Sequence, residues 1–160
     1  MARLLSLPSA PMSDHRDRYP DDLLRAVLAG ARTIAMVGAS PTWSRPSHVV
    51  MKYLQAKGHR VIPVNPKAGV NEILGETCYA GLRDIPLDRT GPIDLVDIFR
   101  ASAAVGPIVE DAIAIGAKVV WMQLGVRNDD AAAKAEAAGL TVIMNRCPKI
   151  EYERLRGSLT

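Results

Sequence analysis

The residues best suited to chemistry stand together in one ten-residue stretch, positions 38–47, which reads GASPTWSRPS. Pro46 has the fixed φ suited to the first position of a helix, and it carries no N–H. The N–H groups of Ser47, His48 and Val49 are then expected to stand unpaired at the helix N-terminus, where partial positive charge gathers. Ser40 and Ser47 add hydroxyl donors, and Arg45 adds a permanently charged fork that matches phosphate oxygens. The stretch reads as an anion site that suits a phosphate. The competing reading makes Ser47 or Ser44 a plain helix cap and leaves Arg45 solvated; it is preferred for Ser44, whereas phosphate is preferred for Arg45. A dinucleotide fingerprint, G-x-G-x-x-G, would need glycine where Ser40 and Trp43 stand, and Asn65 occupies the place of the ribose-binding acid.

Other candidates are weaker. His15, His48 and His59 form no i, i+4 pair and have no nearby cysteine, so no metal site is expected. Ser47 and His48 are no catalytic pair, because helix neighbours diverge by about 100° and no G-x-S-x-G elbow surrounds them. Asp94 and Asp97 fall on opposite strand faces or nearly so, and pairing with Arg100 or a backbone group is favoured over paired-carboxylate catalysis. Trp121 and Met122 read as packing.

The elements that must position these residues follow from short apolar runs bounded by breakers. Strands are expected at 33–37, 60–64, 94–99, 118–122 and 140–144. Helices are expected from Asp21 or Asp22 to Gly30, from Pro46 to Gly58, from Ser102 or Ala103 to Ile115, and from Asn128 or Asp129 to Ala138. Residues 67–91, with four glycines and Pro86, read as a turn-rich excursion. Strands alternating with helices give βαβ units, hence a doubly wound, Rossmann-like three-layer α/β sandwich on a five-stranded parallel sheet. The expected strand order is 3-2-1-4-5, with the ligand crevice beyond the carboxyl ends of strands 1 and 4.

The chain has 160 residues, room for one domain, expected at 20–156 after a mobile tail at 1–19 in which Met12 could be the natural start. Lys and Arg total 20 against 17 acids, without a block of like charge, and aromatics are 4%; nucleic acid is therefore not the expected partner. No apolar run reaches the 18 or so residues of a membrane span, and two cysteines make no disulfide framework. A cytoplasmic location without membrane association is expected.

Six blocks in order, VGASPTWSRPSHVV, VIPVNP, YAGLRDIP, VDIFR, WMQLGV and NRCPKIE, carry a resemblance. Over about residues 22–154 the chain resembles the small stand-alone bacterial CoA-binding proteins, whose fold is similar to the CoA-binding domain of the succinyl-CoA synthetase alpha subunit. The family commonly has aspartate where this chain has Asn145. The resemblance implies coenzyme A as ligand, with Gly38, Ala39, Ser40, Arg45 and Ser47 around its pyrophosphate. It implies Val64, Asn65, Pro66 and Lys67 beside the adenosine, with Lys67 near the ribose phosphate. It also implies Phe99 and Arg100 beside the nucleotide, and Gln123, Leu124 and Gly125 along the pantetheine arm. Read from the residues alone, Phe99 fits the core and Lys67 and Arg100 fit an ordinary surface equally well. The histidine-bearing half of the synthetase is absent, so non-catalytic binding of CoA or acyl-CoA leads; one half of a split acyl-CoA synthetase comes second, and an NAD(P)-binding redox sensor third. Cys147 reads first as a small buried hydrophobe, with a mixed disulfide to CoA as its alternative if Arg146 activates the thiol.

Overall fold

Short apolar runs become the strands of the central sheet, the first stopping at Gly38 and the second at Asn65-Pro66. The computed structural model describes residues 19–67 and 69–156. Its strands are β1 (Thr33–Val37), β2 (Arg60–Val64), β3 (Glu72–Ile73), β4 (Glu76–Thr77), β5 (Leu95–Ile98), β6 (Val119–Met122) and β7 (Thr141–Ile143). Its α-helices are α1 (Asp21–Gly30), α2 (Pro46–Ala56), α3 (Leu87–Thr90), α4 (Val105–Ala114), α5 (Asp129–Ala137) and α6 (Pro148–Leu155). Among the described residues no helix is long and apolar enough to cross a membrane.

The main sheet is parallel, in the order β2-β1-β5-β6-β7. Ile34, Met36, Leu95, Val119, Trp121 and Ile143 pack on one side with α1, α2 and α6. Ala35, Val37, Val96, Ile98, Val120 and Met122 pack on the other with α4 and α5. This is the expected doubly wound three-layer sandwich, with each strand buried on both faces as parallel sheets require.

Beyond β2, Tyr79 makes a single parallel bridge to Val64, its N–H donating to Pro63 O at 3.1 Å and its carbonyl accepting from Asn65 N–H at 2.9 Å. Counted as the third strand in chain order, this bridge gives a sheet reading 3-2-1-4-5 with β7 as a sixth. The run at 94–99 therefore takes a different place from the one expected: it is the inner strand β5, between β1 and β6. Burial is the reason, since all four residues of β5 are buried and the outer edge falls to a segment that spares one residue for pairing. The winding reverses between β1 and β5, and the crevice opens there.

Three local differences have simple causes. A 3-10 turn at Ser102–Ala104 precedes α4, whose helix proper begins at Val105. The excursion forms the small antiparallel β3-β4 hairpin. Helix α6 was not among the expected elements, although Pro148 stands at its first turn and buried Glu151, Tyr152 and Leu155 mark one face. His59 ties this helix down: Nδ1 faces Ala31 O, so it carries the proton, and Nε2 accepts from the Tyr152 hydroxyl at 2.6 Å. Burial lowers the His59 pKa and keeps the ring neutral. The expected tail lies outside the described residues except for Tyr19, which is buried and whose hydroxyl accepts the Met144 N–H at 2.8 Å.

Candidate functional site

Four chain segments meet at the crevice: residues 38–42 after β1, 65–67 after β2, 99–100 after β5, and 45–47 opening α2. They line a cleft of about 670 Å³. Its floor is set by Gly38, at φ +88°, where an added Cβ would lie 2.3 Å from Phe99 O. Phe99 N–H donates to Val37 O at 2.8 Å, and Gly38 and Ala39 N–H both donate to Val64 O, at 2.9 and 3.3 Å. The backbones of β1, β2 and β5 are thus stitched together directly beneath the opening.

Asn65 braces the walls. Its Nδ2 donates to Ala39 O at 2.8 Å and its Oδ1 accepts Lys67 N–H at 2.8 Å. Both side-chain groups are occupied by the chain itself, so the residue shapes the turn between the β1 and β2 loops. This role was not visible in the sequence.

The helix opening differs from expectation. Arg45 is the N-cap, in extended conformation, and no side chain caps the helix. Neither Ser44 nor Ser47 is therefore a cap. The Arg45 carbonyl accepts from both His48 N–H (3.0 Å) and Val49 N–H (3.1 Å). Of the three backbone donors expected to be unpaired, two are closed by the first turn, and Ser47 N–H remains. The Thr42 N–H donates to Ser40 Oγ at 3.1 Å, a tight local turn that fixes the serine at the lip.

Charge at the cleft has one sign. Arg45, Lys67 and Arg100 all line it, and the lining contains no Asp, Glu, His or Cys. None of the three cations forms an ion pair among the described residues. A site of this kind concentrates anions and offers charge-assisted hydrogen bonds to phosphate oxygens.

Ten of the residues expected at the site line the cleft: Gly38, Ala39, Ser40, Arg45, Ser47, Asn65, Pro66, Lys67, Phe99 and Arg100. Phe99 also packs against the core, so its two readings meet in one half-buried ring. Val64, Gln123, Leu124 and Gly125 do not line it. Val64 is buried, and it contributes its carbonyl to the floor. Leu124 is 54% exposed at the carboxyl end of β6. Gly125 N–H donates to Oδ1 of Asn145 at 2.7 Å, and Asn145 itself adopts φ +58°. An aspartate at 145 could accept the same bond, so the departure from the family's usual residue leaves this latch in place.

Gln123 is buried, and with its amide nitrogen facing the carboxylate it donates to Asp97, at 2.9 Å to Oδ1 and 3.3 Å to Oδ2. The sequence favoured Arg100 or the backbone as the partner of Asp97; the structure gives Gln123 instead. Asp94 follows the backbone reading, accepting N–H bonds from Arg32 (2.9 Å) and Thr33 (3.0 Å).

Cys147 is buried with the α1, α2 and α6 cluster and does not line the cleft. Arg146 spans the Tyr19 ring at 5.2 Å and donates to Asn145 O at 2.8 Å. A buried thiol exchanges slowly with an external disulfide. Treatment of the folded protein with CoA disulfide is expected to leave Cys147 unmodified in peptide mass mapping; an adduct there would bring the thiol within reach of the ligand.

A doubly wound α/β domain with a cationic cleft at its switch point is a ready acceptor for a phosphorylated ligand. The chain belongs to the CoA binding domain family, which matches residues 32–153. It is 36% identical over 129 residues to the uncharacterized protein YneT of Bacillus subtilis, covering 81% of this chain and 91% of that one. A hypothetical protein from Pyrococcus horikoshii has a solved structure with 42% identity and a TM-score of 0.81, covering 92% of this chain and all of that one (100%). An ADP-forming acetate–CoA ligase of Methanocaldococcus jannaschii is 31% identical over 87 residues, which is 54% of this chain and 12% of the ligase.

Proposed function

We propose that this chain binds coenzyme A or an acyl-CoA without transforming it, and serves as a cytoplasmic carrier, sensor or partner module. The observation that carries the reading is the convergence of Arg45, Lys67 and Arg100 on a cleft whose lining holds no carboxylate. Coenzyme A presents a diphosphate and a ribose phosphate, and three cations held apart on three loops suit that spread of charge. Gly38, Ala39, Ser40, Arg45 and Ser47 surround the diphosphate. Asn65, Pro66 and Lys67 flank the adenosine, with Lys67 near the ribose phosphate, and buried Val64 supports them from beneath through its carbonyl. Phe99 and Arg100 stand beside the nucleotide, and Leu124 and Gly125 follow the pantetheine arm, with buried Gln123 fixing the start of their loop through Asp97. The lining offers no His, Cys, Asp or Glu as a general acid or base, which favours binding over catalysis.

The match to part of an acetate–CoA ligase supports a second reading, in which the chain is the CoA-binding half of a split synthetase. Acyl-CoA formation on adding the missing catalytic partner chain, and none without it, would favour that reading.

A thermal-shift panel of CoA, acetyl-CoA, NAD, NADP and ATP tests the proposal. At a hundred times its dissociation constant a ligand adds about 2.7 kcal/mol, so CoA is expected to raise the midpoint by about 5 to 11 °C. A larger rise with NAD or NADP would transfer the site to a nicotinamide cofactor. Arg45→Ala is expected to weaken CoA binding by roughly 1.5 to 3 kcal/mol with little change in the apo midpoint; equal affinity would make Arg45 a bystander.

A further inference from the structure

A second groove borders the loop that shapes the cleft, lined by residues that the cleft does not use. Trp43, His48, Val49, Lys52, Tyr53 and Lys149 line a space of about 430 Å³ between that loop, α2 and α6. Trp43 is 79% exposed and Val49 43%. A tryptophan so bare is unusual, because apolar rings at this exposure gain nothing from the solvent and concentrate at interaction surfaces. His48 links the groove to the cleft: it lines this groove, and its Nδ1 is 2.9 Å from the carbonyl of Ser40, which lines the cleft.

The charge around the groove is positive. Lys52 and Lys149 line it, and Lys57 stands 5.4 Å from the centre of the Tyr53 ring, with Lys149 at 5.2 Å on the same ring. Glu153 on this wall accepts the Tyr53 hydroxyl at 2.6 Å and also faces Lys57, Lys149 and Arg156, so the cations outnumber it. We infer that this groove docks a partner protein through a segment that combines acidic side chains with an apolar anchor: the anchor covers Trp43 and Val49, and the acids meet Lys52, Lys149 and Lys57.

Alternative occupants match less well. A second copy meeting this face through a two-fold axis would set the same lysines against one another. The segment before Tyr19 carries Arg3, Arg16 and Arg18 against Asp14 and Asp17, the wrong sign for the same surface. A small molecule held in the groove leaves most of the Trp43 ring in water, whereas a protein segment extends past the rim and covers it.

The two tryptophans make the test direct, because Trp121 is wholly buried and Trp43 is not. The full chain is titrated with an array of short synthetic peptides of glutamate and aspartate interleaved with leucine and phenylalanine, all lacking tryptophan and tyrosine. A matched array carries lysine in place of each acid. Members of the acidic array are expected to shift the Trp43 emission to the blue in a saturable way, and the basic array to leave it unchanged. Lys52→Glu combined with Lys149→Glu is expected to weaken the response about tenfold or more, with the melting midpoint of the variant showing that it folds. A milder pair, Lys52→Ala with Lys149→Ala, should weaken it in the same direction. No response to any acidic peptide, an equal response to the basic array, or a blue shift that grows with protein concentration alone would each overturn the assignment, the last in favour of self-association.

Discussion

Gly38→Ala is expected to destabilise the protein by about 2 to 5 kcal/mol, adding a left-handed backbone cost to the cost of overpacking. At φ +88° the new Cβ would meet Phe99 O at 2.3 Å and Phe99 C at 2.9 Å. Both are backbone atoms of the β5 loop, so no side-chain rotation relieves the contact. The loop can retreat only by lengthening the 2.8 Å bond from Phe99 N–H to Val37 O, which holds β1 and β5 together at the crevice. Gly58→Ala separates the two costs: at φ +98° it has the same backbone demand, but nothing lies within 4 Å of its added Cβ. That variant is expected to lose about 1 to 2 kcal/mol. Thermal or urea unfolding of the two variants side by side measures the difference, and the Gly38 midpoint is expected to fall on the order of 10 °C. Equal losses would mean that the close approach of the two loops carries no energy. Because Phe99 and Arg100 line the cleft, the Gly38 variant is expected to lose CoA response as well as stability.

The sheet was legible in the sequence because each of its strands is a short apolar run, the first two stopping at Gly38 and at Asn65-Pro66. Thr33–Val37 and Arg60–Val64 fall at the bounds their runs predict, and Asn128 caps α5 by accepting Ala131 N–H at 2.9 Å. The convergence of the loops after β1, β2 and β5 into a candidate site was legible for a different reason: parallel topology places the carboxyl ends of neighbouring strands on one edge, so residues distant in sequence must converge. What could not be read was the use the fold makes of polar side chains over long separations. Asn65 is spent on Ala39 and Lys67 backbone groups, His48 on Ser40, and Asn145 on Gly125. Nothing in local pattern distinguishes such residues from ligand contacts. The place of the 94–99 run also depended on Tyr79, a lone bridge with no strand pattern around it.

The buried pair of Asp97 and Gln123 makes stability depend on pH in a direction opposite to that of most carboxylates. Asp97 is wholly buried between Met36 and Trp121 in the sheet register, and burial alone raises its pKa well above the ordinary value. In the unfolded chain the same group titrates near 3.9. Between those two values the native state holds a proton that the unfolded state has released, so stability is complete below about pH 4 and falls as pH rises through the raised native value. Within that window the slope is about 1.4 kcal/mol per pH unit for one proton. Asp97→Asn keeps a neutral group of the same shape that can still bond Gln123, and it removes the titration. Relative to the native sequence, the asparagine variant is therefore expected to gain about 1.4 kcal/mol for each unit between pH 5 and the native pKa, as read by urea unfolding at successive pH values. Parallel stability curves for the two proteins would show that the carboxyl is ionised in the fold, or hydrated in a way the burial does not allow. The position gives this device its consequence for the ligand: Asp97 lies two residues before Phe99, and Gln123 begins the loop after β6. A charge forming at Asp97 as pH rises through the raised native value would loosen the end of β5, whose Phe99 and Arg100 line the cleft, so the proposed CoA affinity is expected to hold below that value, to decline only around and above it in the native chain, and to stay level in the asparagine variant.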